Sequence, residues 1–400
     1  MSQRLPARPL LLGLVLSVAA CADAPTAAPV PAAPSASAVK FWEAGSSVYW
    51  NGVARELLPI FPRQGDPAQE ARIFTYLSIA QHNAVVAAES AKERGHHASA
   101  AAAAAGASLV LLQSFLTPQQ QGLLDARLEA QLAGARWPGE QQRDVDAGLA
   151  IGRAIGADVA AYAASDGFRL TPAPAAPTPL EPGHWTGVNS AVALHGTRLL
   201  ALTSADQFRP GPPPPFGSAE YAAALDDLRS VVQARSDDEI LAARFWNARN
   251  NAYLNQVASD LIVAHRRSER EAARILALAN IAGFDVLPAC FDAKFHYYYI
   301  RPTQVDPDGI ETLPQVNVPN HPSYPSGHSC ITSAFATVLA SAFPSERTEL
   351  EAMIEAAGLS RMYAGFHYRF DLVAGQELGR QVAQWVLEHG VDRRTPIPLD

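Results

Sequence analysis

The chain is 400 residues long, 48% hydrophobic and 18% charged, with 31 basic against 39 acidic residues and a formal net charge of −8. That apolar fraction excludes general disorder, the acidic balance leaves no basic excess for a nucleic-acid partner, and three cysteines are too few for a disulfide scaffold or a cysteine-built metal cluster. Alanine richness with 31 prolines predicts helices joined by proline-rich loops.

Arg4 and Arg8 precede an apolar run, Pro9 to Ala20, that is too short to span a bilayer and ends at Cys21. Residues 1–20 resemble a bacterial lipoprotein signal, in which the cysteine is lipidated and becomes the mature N-terminus. The expectation is an exported, periplasmic protein whose membrane contact is the lipid on Cys21; an ordinary secretory signal would also export it. Residues 21–38, rich in Ala, Pro and Ser, read as a flexible tether. With Cys21 consumed, Cys290 and Cys330 remain, read as two buried free thiols although export permits a disulfide.

The N-terminal helical part spans 39–170. Trp42, Val48, Trp50, Val53 and Leu57 recur at helical spacing within 41–58, and Ile73, Leu77, Ala80 and Ala84 do so within 68–90. Residues 98–116 form an apolar, Ala-rich helix whose weak transfer energy favours a buried core position over a membrane span. Thr117-Pro118 reads as an N-cap with Pro at the first helical position, opening a helix through Leu132, and 143–164 continues the pattern.

Five prolines in 172–182 and five more in 210–215 forbid helix, so 171–217 is expected as extended surface or a lid. The part 218–396 is helical again, with long segments at 237–264, 268–294, 330–342 and 372–387. The second of these is expected to break near Gly283 and Pro288.

Three clusters in this last part hold unusual residues. Lys294 and Arg301 are seven apart, which on a helix ending at Pro302 would put both cations on one face. Their flanks are aromatic and apolar, including Phe291, and a buried cationic pair needs a counter-anion. The second cluster, His321 to His328, is stiffened by two prolines and leads into an apolar helical run. Ser326 and Gly327 at that helix's start offer free backbone N–H groups to an anion, although Ser326 could be a plain N-cap. The third holds Ser360, Arg361, His367 and Asp371. If helical, His367 and Asp371 are neighbours four apart, and the carboxylate would fix the imidazole tautomer. Arg361 is expected to have a buried carboxylate partner. Two arginines, a lysine, two histidines and a helix start make sense around a tetrahedral oxyanion such as phosphate or vanadate.

Lys294 with six residues before Arg301-Pro302, then Pro325-Ser326-Gly327-His328, then Ser360-Arg361 with His367 and Asp371 at fixed spacing, resembles the tripartite signature of the type 2 phosphatidic acid phosphatase and vanadium-dependent haloperoxidase superfamily. The resemblance implies an all-α fold, a helical bundle with the anion pocket at its heart. By motif position, Lys294, Arg301 and Arg361 would bind the anion's oxygens with help from Ser326 and the Gly327 N–H. His367 would bond the central atom, either phosphorus or the vanadium of a vanadate cofactor. His328 would act as acid and base, Asp371 would orient His367, and His321 and Phe291 would stand at the pocket rim.

Integral-membrane lipid phosphatases of this group have several apolar spans that this chain does not match. The sequence favours an exported phosphomonoesterase working through a phosphohistidine, with no cofactor and a small phosphorylated substrate. The alternative is a haloperoxidase that uses vanadate, peroxide and halide, which His321 supports and Phe291, standing where some haloperoxidases have tryptophan, does not. A third possibility is a lipid-tethered oxyanion-binding protein without turnover.

Overall fold

Helices form over each segment with apolar periodicity, and also over Arg347–Tyr363, where the pattern is obscured. The computed structural model describes residues 41–61, 66–134, 141–170, 172, 174–187, 194, 196–314 and 316–390. The leader 1–20, the tether 21–38 and Cys21 lie outside the described residues. The N-terminal helices are α1 (Phe41–Leu57), α2 (Pro67–Glu93), α3 (Ala100–Ser114), α4 (Pro118–Gly134) and α5 (Gln142–Ala164). They are followed by α6 (Ala219–Ala234), α7 (Asp237–Ala264), α8 (Glu269–Tyr297), the short α9 (Pro302–Val305), α10 (Gly327–Ala342), α11 (Arg347–Tyr363) and α12 (Arg369–His389). Among the described residues there is no β-strand, only an isolated antiparallel bridge between His184 and Tyr299. The fold is all-α.

Small residues set the closest helix contacts. On α5, Gly148, Gly152 and Gly156 recur every four residues against the alanine run of α3, and a Cβ on Gly152 would lie 2.0 Å from the Ala103 carbonyl oxygen. This explains the Ala-rich segment: α3 is a core helix packed between α2 and α5. The same device joins α12 to α10, where a Cβ on Gly379 would lie 2.5 Å from the Cys330 carbonyl oxygen.

α8 is the central helix, packed by α2, α10 and α12. Ser268 and Glu271 close a reciprocal capping box at its start. It does not break at Gly283 or Pro288. A proline removes one i→i−4 hydrogen bond, and here the burial of nearly every residue from Ala272 to Phe295 outweighs that loss. Among the described residues α8 is also the one helix long and apolar enough to cross a membrane, and 94% of its apolar window is buried inside the protein.

The proline-rich region is a strap in its second half. Asp285 of α8 accepts hydrogen bonds from the N–H groups of Leu200, Ala201 and Leu202 at 2.9, 2.7 and 2.9 Å. Asp292, two turns on, holds Arg209 in a two-point ion pair. The hydroxyls of Tyr297, Tyr324 and Tyr299 then donate to the carbonyls of Pro210, Gly211 and Pro214 at 2.5, 2.7 and 2.7 Å. Proline suits this role because an extended segment without N–H groups exposes only carbonyls to be bonded.

Candidate active site

The first cluster is not one helix face. α8 ends at Tyr297, and Tyr298 takes a left-handed conformation (φ 50) that reverses the chain. Tyr299 then lies beside His184 in an antiparallel bridge, with Trp185 N donating to Tyr298 O and Ile300 N to Gly183 O. Arg301 is the residue before α9, so Pro302 starts a helix rather than ending one. Lys294 and Arg301 nevertheless meet, because both reach the 321–325 loop. Lys294 Nζ donates to Pro322 O (3.0 Å), Ser323 O (2.7 Å) and Pro325 O. Arg301 Nε donates to His321 O at 2.8 Å, and its Nη2 lies 3.1 Å from His321 Nδ1.

The second cluster behaves as its sequence implies. Ser326 caps α10 with its side chain toward Ser329 N, and Gly327 is the first helical residue. His328 Nε2 lies 3.2 Å from Trp246 O; a carbonyl can only accept, so Nε2 carries the proton and Nδ1 keeps its lone pair. Cys290 and Cys330 are buried free thiols just behind this loop, with Cys290 Sγ 3.9 Å from Pro325 O.

The third cluster comes together by capping, not along a helix. His367 lies in the turn before α12, and Asp371 sits in that helix's first turn. Asp371 Oδ2 accepts from His367 Nδ1 at 2.8 Å, Ser323 Oγ at 2.6 Å and Tyr368 N at 3.1 Å. With Nδ1 protonated toward the carboxylate, His367 Nε2 presents a lone pair, 3.5 Å from Arg301 Nη1. Arg361, on the buried face of α11, has no carboxylate partner. It donates instead to Ser360 Oγ (3.0 Å), Asn247 Oδ1 (3.4 Å) and Ala243 O (2.6 Å). The Phe366 backbone links the two arginines, donating to Arg361 O and accepting from Arg301 Nη1, both at 3.0 Å.

Lys294, Arg301, Arg361, Ser326, His367 and Asp371 are buried, whereas His321, Gly327 and His328 are partly exposed and mark the open side. Phe291 packs its ring against His321, centroids 5.1 Å apart. Among the described residues, none of the three cations forms an ion pair. Burial lowers Lys294 to about 8, Arg301 to about 10 and Arg361 to about 9. Burial, then Arg301 and Lys294, push His367 well below the usual histidine range; burial and Arg361 do the same to His328. Both imidazoles are therefore neutral. Burial raises Asp371 to about 6.

Buried positive charge that no ion pair neutralises, facing two neutral imidazoles and a helix start, has the chemistry of an oxyanion receptor. The residues suit phosphate or vanadate, since each offers several oxygens to converging donors. Sequence reading overlooked Ser323, although it lies inside the second cluster. It also overlooked α7, whose Ala243 and Trp246 act through carbonyls that no side-chain identity announces; Asn247 stands in no recognisable pattern.

Residues 272–394 match the PAP2 superfamily, and that segment is a PAP2-superfamily domain. No curated protein matches the sequence. Among solved structures the chain is similar to a bacterial vanadium-dependent iodoperoxidase described as the first of its kind, at TM-score 0.68 and 20% identity, over 85% of this chain and 95% of that one. It is also similar to a bacterial vanadium-dependent chloroperoxidase in apo form (TM-score 0.59, 15% identity, 80% and 93% covered) and holo form (0.62, 16%, 81% and 92%). At these identities the likeness is one of fold. It extends well beyond residues 272–394 into the N-terminal helices.

Proposed function

We propose that this chain, with its PAP2-superfamily domain at 272–394, is an oxyanion enzyme of the vanadium-dependent haloperoxidase type. The observation that carries the reading is three buried cations in no ion pair, Lys294 and Arg301 bonded to the 321–325 loop and Arg361 close enough to depress His328. Two features favour haloperoxidase over phosphatase, reversing the order that sequence alone suggests. The shared fold takes in helices outside the PAP2 segment, and His321 is held by Arg301 at the open side with Phe291 behind it.

Vanadate would be held by Arg301, Arg361, Ser326 and the Gly327 N–H, within the field of Lys294 and with His367 Nε2 toward the metal. Bound there, it supplies a Lewis-acidic centre at which hydrogen peroxide oxidises halide. The protein's share is binding and proton control. Lys294 fixes the loop and contributes charge, Asp371 keeps His367 in the Nδ1–H tautomer, and His328, neutral with Nδ1 free, accepts a proton on the open side.

Phosphomonoesterase is the second reading, supported by the same His367 lone pair. His367 Nε2 would attack phosphorus in line and the bond to the leaving alkoxide would break as it gains a proton. Water deprotonated by His328 would then release phosphate from the histidine. The test is to assay the purified protein with vanadate, peroxide and iodide or bromide, and separately with p-nitrophenyl phosphate. Vanadate-dependent halide oxidation is expected. Ester hydrolysis blocked by vanadate, without halide oxidation, would make it a phosphatase; anion binding with neither turnover would make it a receptor. Export and lipidation at Cys21 belong to the same proposal and are tested by mass spectrometry of the protein from membranes.

A further inference from the structure

Ser323 stands where the three clusters cross. Its N–H donates to Tyr299 O at 2.9 Å, tying it to the segment that carries Arg301. Its carbonyl accepts from Lys294 Nζ at 2.7 Å, and its hydroxyl donates to Asp371 Oδ2 at 2.6 Å. The same hydroxyl oxygen lies 3.3 Å from His367 Nδ1, and the residue is fully buried. Asp371 depends on this contact more than a carboxylate ordinarily would. Its other oxygen, Oδ1, is buried without a hydrogen-bond partner, so every donor converges on Oδ2. A carboxylate satisfied on one side only is free to swing or to take up a proton unless that side is held firmly.

We propose that Ser323 is a positioning residue that holds Asp371 aimed at His367 and thereby keeps the His367 lone pair at Nε2. An Asp371 carboxylate that turns away no longer holds the His367 proton at Nδ1, and the lone pair is then not confined to Nε2. The inference rests on His367 being the reactive imidazole of the proposed function.

The test compares Ser323→Ala with the intact protein in three measurements. kcat is expected to fall about tenfold. KM and phosphate or vanadate affinity, set by the cations, are expected to stay within about twofold. Histidine ¹⁵N spectra, assigned through His367→Gln, are expected to show His367 shifting from the Nδ1–H toward the Nε2–H tautomer. An unchanged kcat or an unchanged His367 tautomer in Ser323→Ala overturns the proposal, as does a loss confined to KM. If Ser323→Ala does not fold, Ser323→Cys, similar in volume but a weak donor, is expected to lower kcat and shift the tautomer in the same direction; no shift there overturns it equally. Absence of both turnovers in the intact protein would overturn the functional reading, whereas the tautomer measurement would still decide Ser323.

Discussion

All three protons of the Lys294 ammonium point at backbone carbonyls, so its charge is made conditional by its surroundings. Burial lowers it from 10.5 to about 8, which means the anion-free fold holds this proton less well than the unfolded chain does. The ammonium therefore costs stability below pH 8, a cost relieved as pH rises from about 8 toward 10.5. A bound oxyanion reverses the shift by favouring the charged form, so binding above pH 8 must take up a proton. Once the anion's own ionisation is subtracted, phosphate or vanadate affinity is expected to be constant up to about pH 7.5 and to fall up to tenfold per unit between 8 and 9, before Arg361 also titrates, measured by calorimetry in buffers of different ionisation enthalpy. A flat affinity up to pH 9 would show that Lys294 does not sense the anion. His367 makes the complementary prediction: His367→Ala should abolish turnover while leaving the melting temperature nearly unchanged and anion binding detectable, because the cations remain. These residues were legible in the sequence because each motif position demands one side-chain chemistry. Ser323 was less so, since a serine between prolines also reads as a turn residue.

At the level of elements, the candidate site residues come together through a different geometry from the one their spacing suggests. Lys294 and Arg301 lie two helical turns apart in number, yet the left-handed Tyr298 ends the helix between them and a loop brings them together. His367 and Asp371 are four apart, yet pair across a helix start. Helical spacing and a cap can place the same two side chains in contact, and periodicity alone cannot tell them apart. α11 was passed over because its charged residues obscured an apolar stripe of Leu350, Ile354 and Ala357, which continues to Arg361. The α3–α5 contact was readable only in part: glycine every four residues is visible on α5, but not which partner it admits. Gly152→Val should test that contact, since even a Cβ would lie 2.0 Å from Ala103 O and the helices must separate. A loss of about 1–3 kcal/mol by urea unfolding is expected, with kcat of the folded fraction unchanged because the site lies on other helices.

Over the whole molecule, the site is a junction of separate helices. α8 brings Lys294, the 298–301 segment Arg301, α10 Ser326 and Gly327, α11 Arg361 and the start of α12 Asp371, while α7 holds Arg361 and His328 from outside the PAP2 segment. Among the described residues no ion pair neutralises the three cations, and burial lowers all three, so their charge opposes folding. An anion that binds only the folded state then stabilises it by mass action, by about 2.7 kcal/mol at a hundred times its dissociation constant. Arg361 offers the cleanest test, because burial alone lowers its guanidinium. Replacing an unpaired buried charge with an apolar side chain of similar length removes the desolvation cost along with the binding energy. Arg361→Met is therefore expected to melt at or above the intact protein's temperature in anion-free buffer, and to fall below it once phosphate or vanadate is saturating, because only the intact protein gains. Thermal melts across an anion titration measure both halves. Equal anion-induced shifts in the two proteins would mean that Arg361 contributes nothing to the pocket. A variant strongly destabilised without anion would mean that its bonds to Ala243 and Asn247, not its charge, are what α11 retains it for.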